Sequence, residues 1–222
     1  MRYLLVIVFI IPCLLFASER TVKYTFQGAR VEVPADYVID LSLVGLFKSW
    51  IGLDDDSGSF TLAIKPTDIA MGIDGYVADV NGIEQVVRVS IFDVYGESKE
   101  KLLSSNRYAD AWYAINGYEN REVISQDGLF LLFGSKGYRG DFLVLSEFPE
   151  STKEMPGNVR DFIVARCFGS NLEPFKNVTC SSKFLVEGGL LTELSYSFEN
   201  IMFSREIESF AREKLDRWVE VY

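Results

Sequence analysis

Between Arg121 and Ser146 the chain offers three apolar segments, Arg121–Ile124, Leu129–Phe133 and Phe142–Ser146, parted only by Asp127-Gly128 and a glycine-rich stretch ending at Gly140. Parallel strands need a crossover of about a dozen or more residues, usually a helix. These intervals hold turn residues and no room for one. The spacing predicts an antiparallel meander, with Trp112–Ile115 as a preceding strand before Asn116-Gly117.

Alternation recurs elsewhere. Thr21 to Val33 reads as a hairpin: Val22, Tyr24 and Phe26 alternate with polar residues, Gly28 marks the turn, and Arg30 to Val33 alternates again before Pro34. Ser59 to Lys65 reads as a strand closed by Pro66. Val86 to Tyr95 has Val87, Val89, Ile91 and Asp93 on one face and Arg88, Ser90, Phe92 and Val94 on the other. Apolar residues on both faces predict a central strand packed on both sides. Asp161–Arg166, Lys183–Glu187 and Leu191–Phe198 read as further strands. Leu41 to Leu53 fits a short helix or a buried loop, and Glu97 to Ser105 is charged and helix-compatible.

The C-terminal segment carries the strongest helical pattern. Ser204 stands where a cap would, and Glu206 places negative charge in the first turn. Ile207, Phe210, Ala211, Leu215, Trp218 and Tyr222 recur at helical spacing, an apolar face running to the end of the chain. The expected class is α+β: mainly antiparallel sheet with a C-terminal amphipathic helix and one disulfide.

That disulfide follows from the other end of the chain. Arg2, an apolar run from Tyr3 to Phe16, then Ala17 before Ser18-Glu19-Arg20 make residues 1–17 a removable secretory leader. The run is shorter than the roughly 20 apolar residues of a membrane-spanning helix, so no stable membrane insertion is expected once it is removed. Cleavage after Ala17 leaves residues 18–222, read as one domain, with any sub-boundary in the polar stretch 150–158. Cys13 departs with the leader, and Cys167 and Cys180 remain in an oxidising compartment with one pairing open to them. The bond would close a loop of this length at a gain of about 3 kcal/mol.

Composition then removes chemistry. The chain has no histidine. That excludes Ser–His and Cys–His nucleophile pairs, imidazole metal sites and the commonest general base near neutral pH. Loss of Arg2 leaves 21 basic against 32 acidic residues, a net charge of −11. Nucleic acid and anionic lipid would be repelled, and a basic protein partner is favoured.

The motifs that might carry chemistry fail on spacing. Asp54-Asp55-Asp56-Ser57-Gly58 is the densest acidic cluster, but aligning Gly58 with the sixth position of a calcium loop puts Leu53 first and Ile64 twelfth. It reads as a solvated turn, or as the contact to a basic partner. Gly134-Ser135-Lys136-Gly137-Tyr138-Arg139-Gly140 lacks the spacing of a phosphate loop and precedes a strand, so it reads as a hairpin turn that also covers Arg139-Gly140-Asp141. Asn177-Val178-Thr179 matches a glycosylation acceptor by chance. No spacing singles out a catalytic carboxylate pair, and no metal or cofactor is expected.

The chain also resembles a loose group of small exported bacterial proteins. The resemblance rests on Val33-Pro34-Ala35-Asp36-Tyr37-Val38 after the first strand, on Cys167 and Cys180 flanking a short loop, and on Leu194-Ser195-Tyr196 before a helix containing Ile207-Glu208 and Trp218. Members of that group are often encoded beside toxic effectors, and some similar proteins are periplasmic immunity proteins of type VI secretion effectors. The resemblance implies a periplasmic immunity or inhibitor protein that occludes an effector. It carries over no functional residue; separately, the acidic cluster Asp54, Asp55 and Asp56 is the candidate plug for an effector cleft. The alternatives are a periplasmic binding or envelope-assembly module and a carboxylate-based hydrolase.

Overall fold

A computed structural model describes residues 20–39, 59–93, 112, 121–134, 140–148, 162–169 and 178–222. The leader, the segments 41–53 and 97–105, Asp54 to Asp56 and the stretch 150–158 lie outside the described residues.

Strands form where alternation places them. β1 (Thr21–Phe26) and β2 (Ala29–Pro34) make an antiparallel hairpin with Val22 opposite Val33 and Phe26 opposite Ala29. Gly28, at φ +92°, supplies the left-handed residue of its turn. A 3-10 turn, Ala35–Tyr37, follows. β3 (Ser59–Ile64) leads into α1 (Pro66–Gly72), a short helix with Pro66 in its first turn, where a missing N–H leaves no helical bond unmade. Next come a small hairpin, β4 (Asp79–Val80) and β5 (Ile83–Glu84), and then β6 (Val87–Phe92).

The expected meander is present in β7 (Glu122–Gln126), β8 (Leu129–Phe133) and β9 (Asp141–Leu145), and it continues through the further strands β10 (Ile163–Phe168), β11 (Thr179–Leu185) and β12 (Leu191–Ser197). Asp127 and Gly128, both at positive φ, form the mirror-image turn that suits a tight hairpin between β7 and β8. Among the described residues the meander joins β6 and β3 in an eight-stranded sheet ordered β3-β6-β12-β11-β10-β9-β8-β7, with every neighbouring pair antiparallel. A 3-10 run, Phe198–Phe203, connects β12 to α2 (Ser204–Trp218), and β13 (Val219–Val221) follows. The fold is α+β, as expected.

Four local expectations need correction. Helical spacing ran to Tyr222, but the helix stops at Trp218 and β13 pairs with β2, Val219 facing Val31 and Val221 facing Ala29. Val219-Glu220-Val221 alternates as well, and pairing with an open strand edge satisfies its backbone. Ser204 does not cap α2: it lies inside the helix, and its buried hydroxyl sits 2.5 Å from that of Tyr196. β6 is central in the sheet, yet only Val87, Val89 and Ile91 are buried, while Arg88 is exposed and Phe92 half-buried. Of the proposed strand Trp112–Ile115, only Trp112 is described, and it is helical and fully buried.

The core lies between the inner face of the large sheet, α2 and the small sheet β1-β2-β13. Ile207, Ala211 and Leu215 turn the buried stripe of α2 inward. Tyr24 of β1 stacks on Phe60 of β3 with ring centroids 3.7 Å apart, joining the two sheets. Burying each large apolar side chain contributes about 1.5–3 kcal/mol.

Cys167 and Cys180 are bonded. They lie directly opposite on β10 and β11, Cα atoms 4.0 Å apart, in a row that reads Phe133, Phe142, Cys167, Cys180, Tyr196 across five strands. Both sulfurs are shut inside the core. Replacing both cysteines by alanine should lower stability by about 3 kcal/mol. Denaturant unfolding of the oxidised wild type and the double variant checks this, and equal midpoints would refute it.

Candidate binding groove

The outer face of the large sheet divides in two. On one side Leu132, Leu143, Leu145 and Ile163 are buried beneath Trp112 and Phe162, a second apolar cluster. On the other side the same face is polar. Ala63, Arg88, Ser195, Ser181 and Arg166 are successive partners across β3, β6, β12, β11 and β10, and therefore point the same way.

Most polar groups on this open face are paired. Arg166 donates two hydrogen bonds to Asp141, at 3.0 and 2.7 Å, and those bonds first, with the charge of Asp141 behind them, raise the guanidinium pKa against the opposing effect of burial. Lys183 lies 3.2 Å from Glu193 across β11 and β12. The hydroxyls of Thr61 and Ser90 are 3.0 Å apart. Arg88 makes no hydrogen bond or ion pair among the described residues.

A groove of about 710 Å³ runs over this part of the face. Arg88, Thr61, Ser90 and Ser195 lie along the sheet side, and Ile83 and Glu84 of the β4–β5 hairpin line the other. Ile83 is 62 % exposed, an apolar side chain at the rim. Ser197 donates its hydroxyl proton to Glu199, which also lines the groove.

The segment that carries the hairpin is held by buried polar groups. Asn200, fully buried in the 3-10 run, accepts from the Val77 N–H at 2.8 Å and donates to the Val77 carbonyl at 3.0 Å. Tyr76 donates its hydroxyl proton to the Gln85 carbonyl at 2.5 Å, and burial pushes its pKa up to about 12. Asn81 and Gly82, at φ 55° and 80°, close the hairpin, and Asp79 accepts from the Gly82 N–H at 2.8 Å.

Smaller hollows lie elsewhere among the described residues. One of about 270 Å³ lies between the β7–β8 turn and Phe198, Ile201 and Met202. Another of about 380 Å³ lies between the end of α1 and α2, with Asp74, Glu206 and Glu213 around Phe203 and Phe210.

The structure places the sequence-level candidates unevenly. Asp54, Asp55 and Asp56 lie outside the described residues. Of the glycine-rich stretch only Gly134 and Gly140 are described, next to the paired strands β8 and β9, and residues 135–139 lie outside the described residues; Asp141 is in β9 and paired with Arg166. Of the glycosylation pattern, Val178 is buried and Thr179 opens β11. No group of three or more Cys, Asp or Glu side chains able to hold a metal occurs among the described residues.

The residues behind the resemblance are packing. Tyr37 donates to Asp68 at 2.7 Å, accepts from Lys214 at 3.2 Å and lies 5.1 Å from the Trp218 ring, tying the 3-10 turn to both helices. Arg88 was legible as a lone cation between Val87 and Val89. Asn200 carried no sequence signal, because its partner lies 123 positions away.

No family model matches this chain, and no curated protein matches it either. Among solved structures it is similar to an immunity protein of the Stenotrophomonas maltophilia type IV secretion system. The two are 14% identical with a TM-score of 0.53, over 91% of this chain and 94% of that one. The likeness extends to the fold along almost the whole of both chains.

Asn200→Ala should cost about 2–4 kcal/mol, since it strands a buried N–H and a carbonyl together. Hydrogen exchange should quicken from Val77 to Gln85 more than in β10 or β11; uniform change across these segments would refute a local anchor. Tyr76 makes the fold alkali-sensitive. Its folded pKa, about 12, stands above its ordinary 10.0, so the folded state holds the proton longer and stability falls as pH rises from 10 towards 12. Tyr76→Phe should flatten that part of the stability–pH curve, and an unchanged slope would overturn the assignment.

Proposed function

We propose that this protein is a non-catalytic immunity protein, exported to the periplasm, that binds a toxic secretion-system effector and blocks its action. One observation carries the reading: the fold likeness, along nearly the full length of both chains, to an immunity protein of a bacterial secretion system. The resemblance drawn from sequence named type VI effectors, whereas the similar structure belongs to a type IV system, so the proposal extends to secretion-system effectors as a class.

Other features agree with that reading. The buried disulfide suits an oxidising compartment, which the leader at residues 1–17 would supply. No helix among the described residues is long and apolar enough to cross a membrane. A chain without histidine, bearing an excess of negative charge, can act by covering a partner's surface. Its field favours encounter with a basic effector. Asp54, Asp55 and Asp56 remain proposed contacts for that effector.

The test is competition on a solid surface between the parent bacterium and a strain lacking the gene. The deletion strain should fall at least tenfold in contact with parent cells. A full-length copy should restore survival, and a copy lacking residues 2–17 should not. Equal survival of deletion and parent strains would sink the proposal.

A further inference from the structure

We propose that the groove between the β4–β5 hairpin and the open sheet face receives a carboxylate-bearing loop of the protein partner, with Arg88 as the residue that pairs with it. The inference rests on the immunity reading only for the identity of the partner; the chemistry of the groove stands on its own.

Three observations lead to it. Among the described residues Arg88 is a cation without a partner, on a face where Arg166 and Lys183 each hold an acidic one. It stands on β6, the strand between β3 and β12, so its backbone is fixed from both sides. Beside it lie Thr61, Ser90 and Ser195, and an exposed apolar rim at Ile83.

A docked protein that covered this groove would take the Arg88 guanidinium out of water. An uncompensated buried charge is strongly unfavourable, and neither Glu84 nor Glu199, which also line the groove, pairs with Arg88, so a covering surface that supplies an anionic acceptor there is favoured. A carboxylate meets the guanidinium fork with two parallel hydrogen bonds, the stronger and more directional form of such a pair. Ile83 then offers apolar contact beside the pair, the setting in which an arginine becomes a binding hot spot. A lysine or arginine of the partner at the same place would face Arg88 with like charge.

The groove is mixed in sign, with Glu84 and Glu199 lining it beside Arg88, in a chain that is acidic overall. The negative field of the whole chain attracts a basic partner at long range and sets no register. A single cation in a groove does, because only one docked orientation brings a carboxylate to it.

The probe is a phage-displayed library of random twelve-residue peptides selected on the purified, oxidised full chain, with chosen clones remade as synthetic peptides. Binders should share an Asp or Glu whose replacement abolishes binding. Their affinity should fall at least tenfold on Arg88→Ala and further on Arg88→Glu, and stay unchanged on Lys23→Ala, a charge-matched variant in the small sheet. Arg88 is exposed, so circular dichroism and melting of the variants should match wild type. Failure to obtain any Arg88-dependent acidic peptide overturns the proposal, as does full protection of cells by Arg88→Glu. Arg88-dependent peptides from a protein that gives no protection would overturn the immunity reading and leave the groove assignment in place.

Discussion

Cys167 and Cys180 face one another on adjacent strands, and this cross-link settles which side of the sheet every neighbouring residue occupies. Side chains alternate along a strand, so a slip of one residue would move the whole inward set outward. The bonded pair lies in a row with Phe133, Phe142 and Tyr196, all buried. The next row outward holds Arg166, Ser181, Ser195 and Arg88. The covalent bond that pins the inner row therefore pins the groove floor as well, one residue over on each strand. Stability and the candidate surface depend on the same register.

The other wall of the groove has a different basis. β4 and β5 are two residues each, far below what stands alone as a hairpin in water. Their position comes from Asn200 and Tyr76, which fasten the flanking backbone at Val77 and Gln85. One wall is part of a large sheet and the other is a short loop on buried polar anchors.

The strands were legible because each has one face in the core: Val22, Tyr24 and Phe26 in β1, and Val87, Val89 and Ile91 in β6, advertise their burial in steps of two. The hairpin turn at Asp127-Gly128 was legible because only certain residues take its backbone angles readily. What misled was pattern shared between two structures. Tyr222 falls at helical spacing from Trp218, yet Val219 and Val221 also alternate, and the free edge of β2 decides between them. Ser204 has the chemistry of a cap, but Tyr196, on the preceding strand, takes its hydroxyl. Phe92 and Arg88 share a face whose cover over the β8–β10 half does not extend to them. Such outcomes depend on tertiary contacts between different elements, which periodicity does not record.

The groove illustrates the same limit for function. The sequence shows Arg88 only as a cation between Val87 and Val89, which are ordinary core residues. It becomes a candidate only when three strands are laid side by side and the remaining charges of the face find partners. Charge pairs such as Lys183–Glu193 neutralise one another at close range and contribute little beyond it. What a partner would sense near the sheet is then the residue left over. At distances beyond the roughly 8–10 Å over which salt screens exposed charges, the acidic excess of the chain is attenuated as well. Close contact is thus governed by local pairing more than by net charge, and in the proposed complex Arg88, unpaired among the described residues, rather than the acidic total, would select the docked orientation.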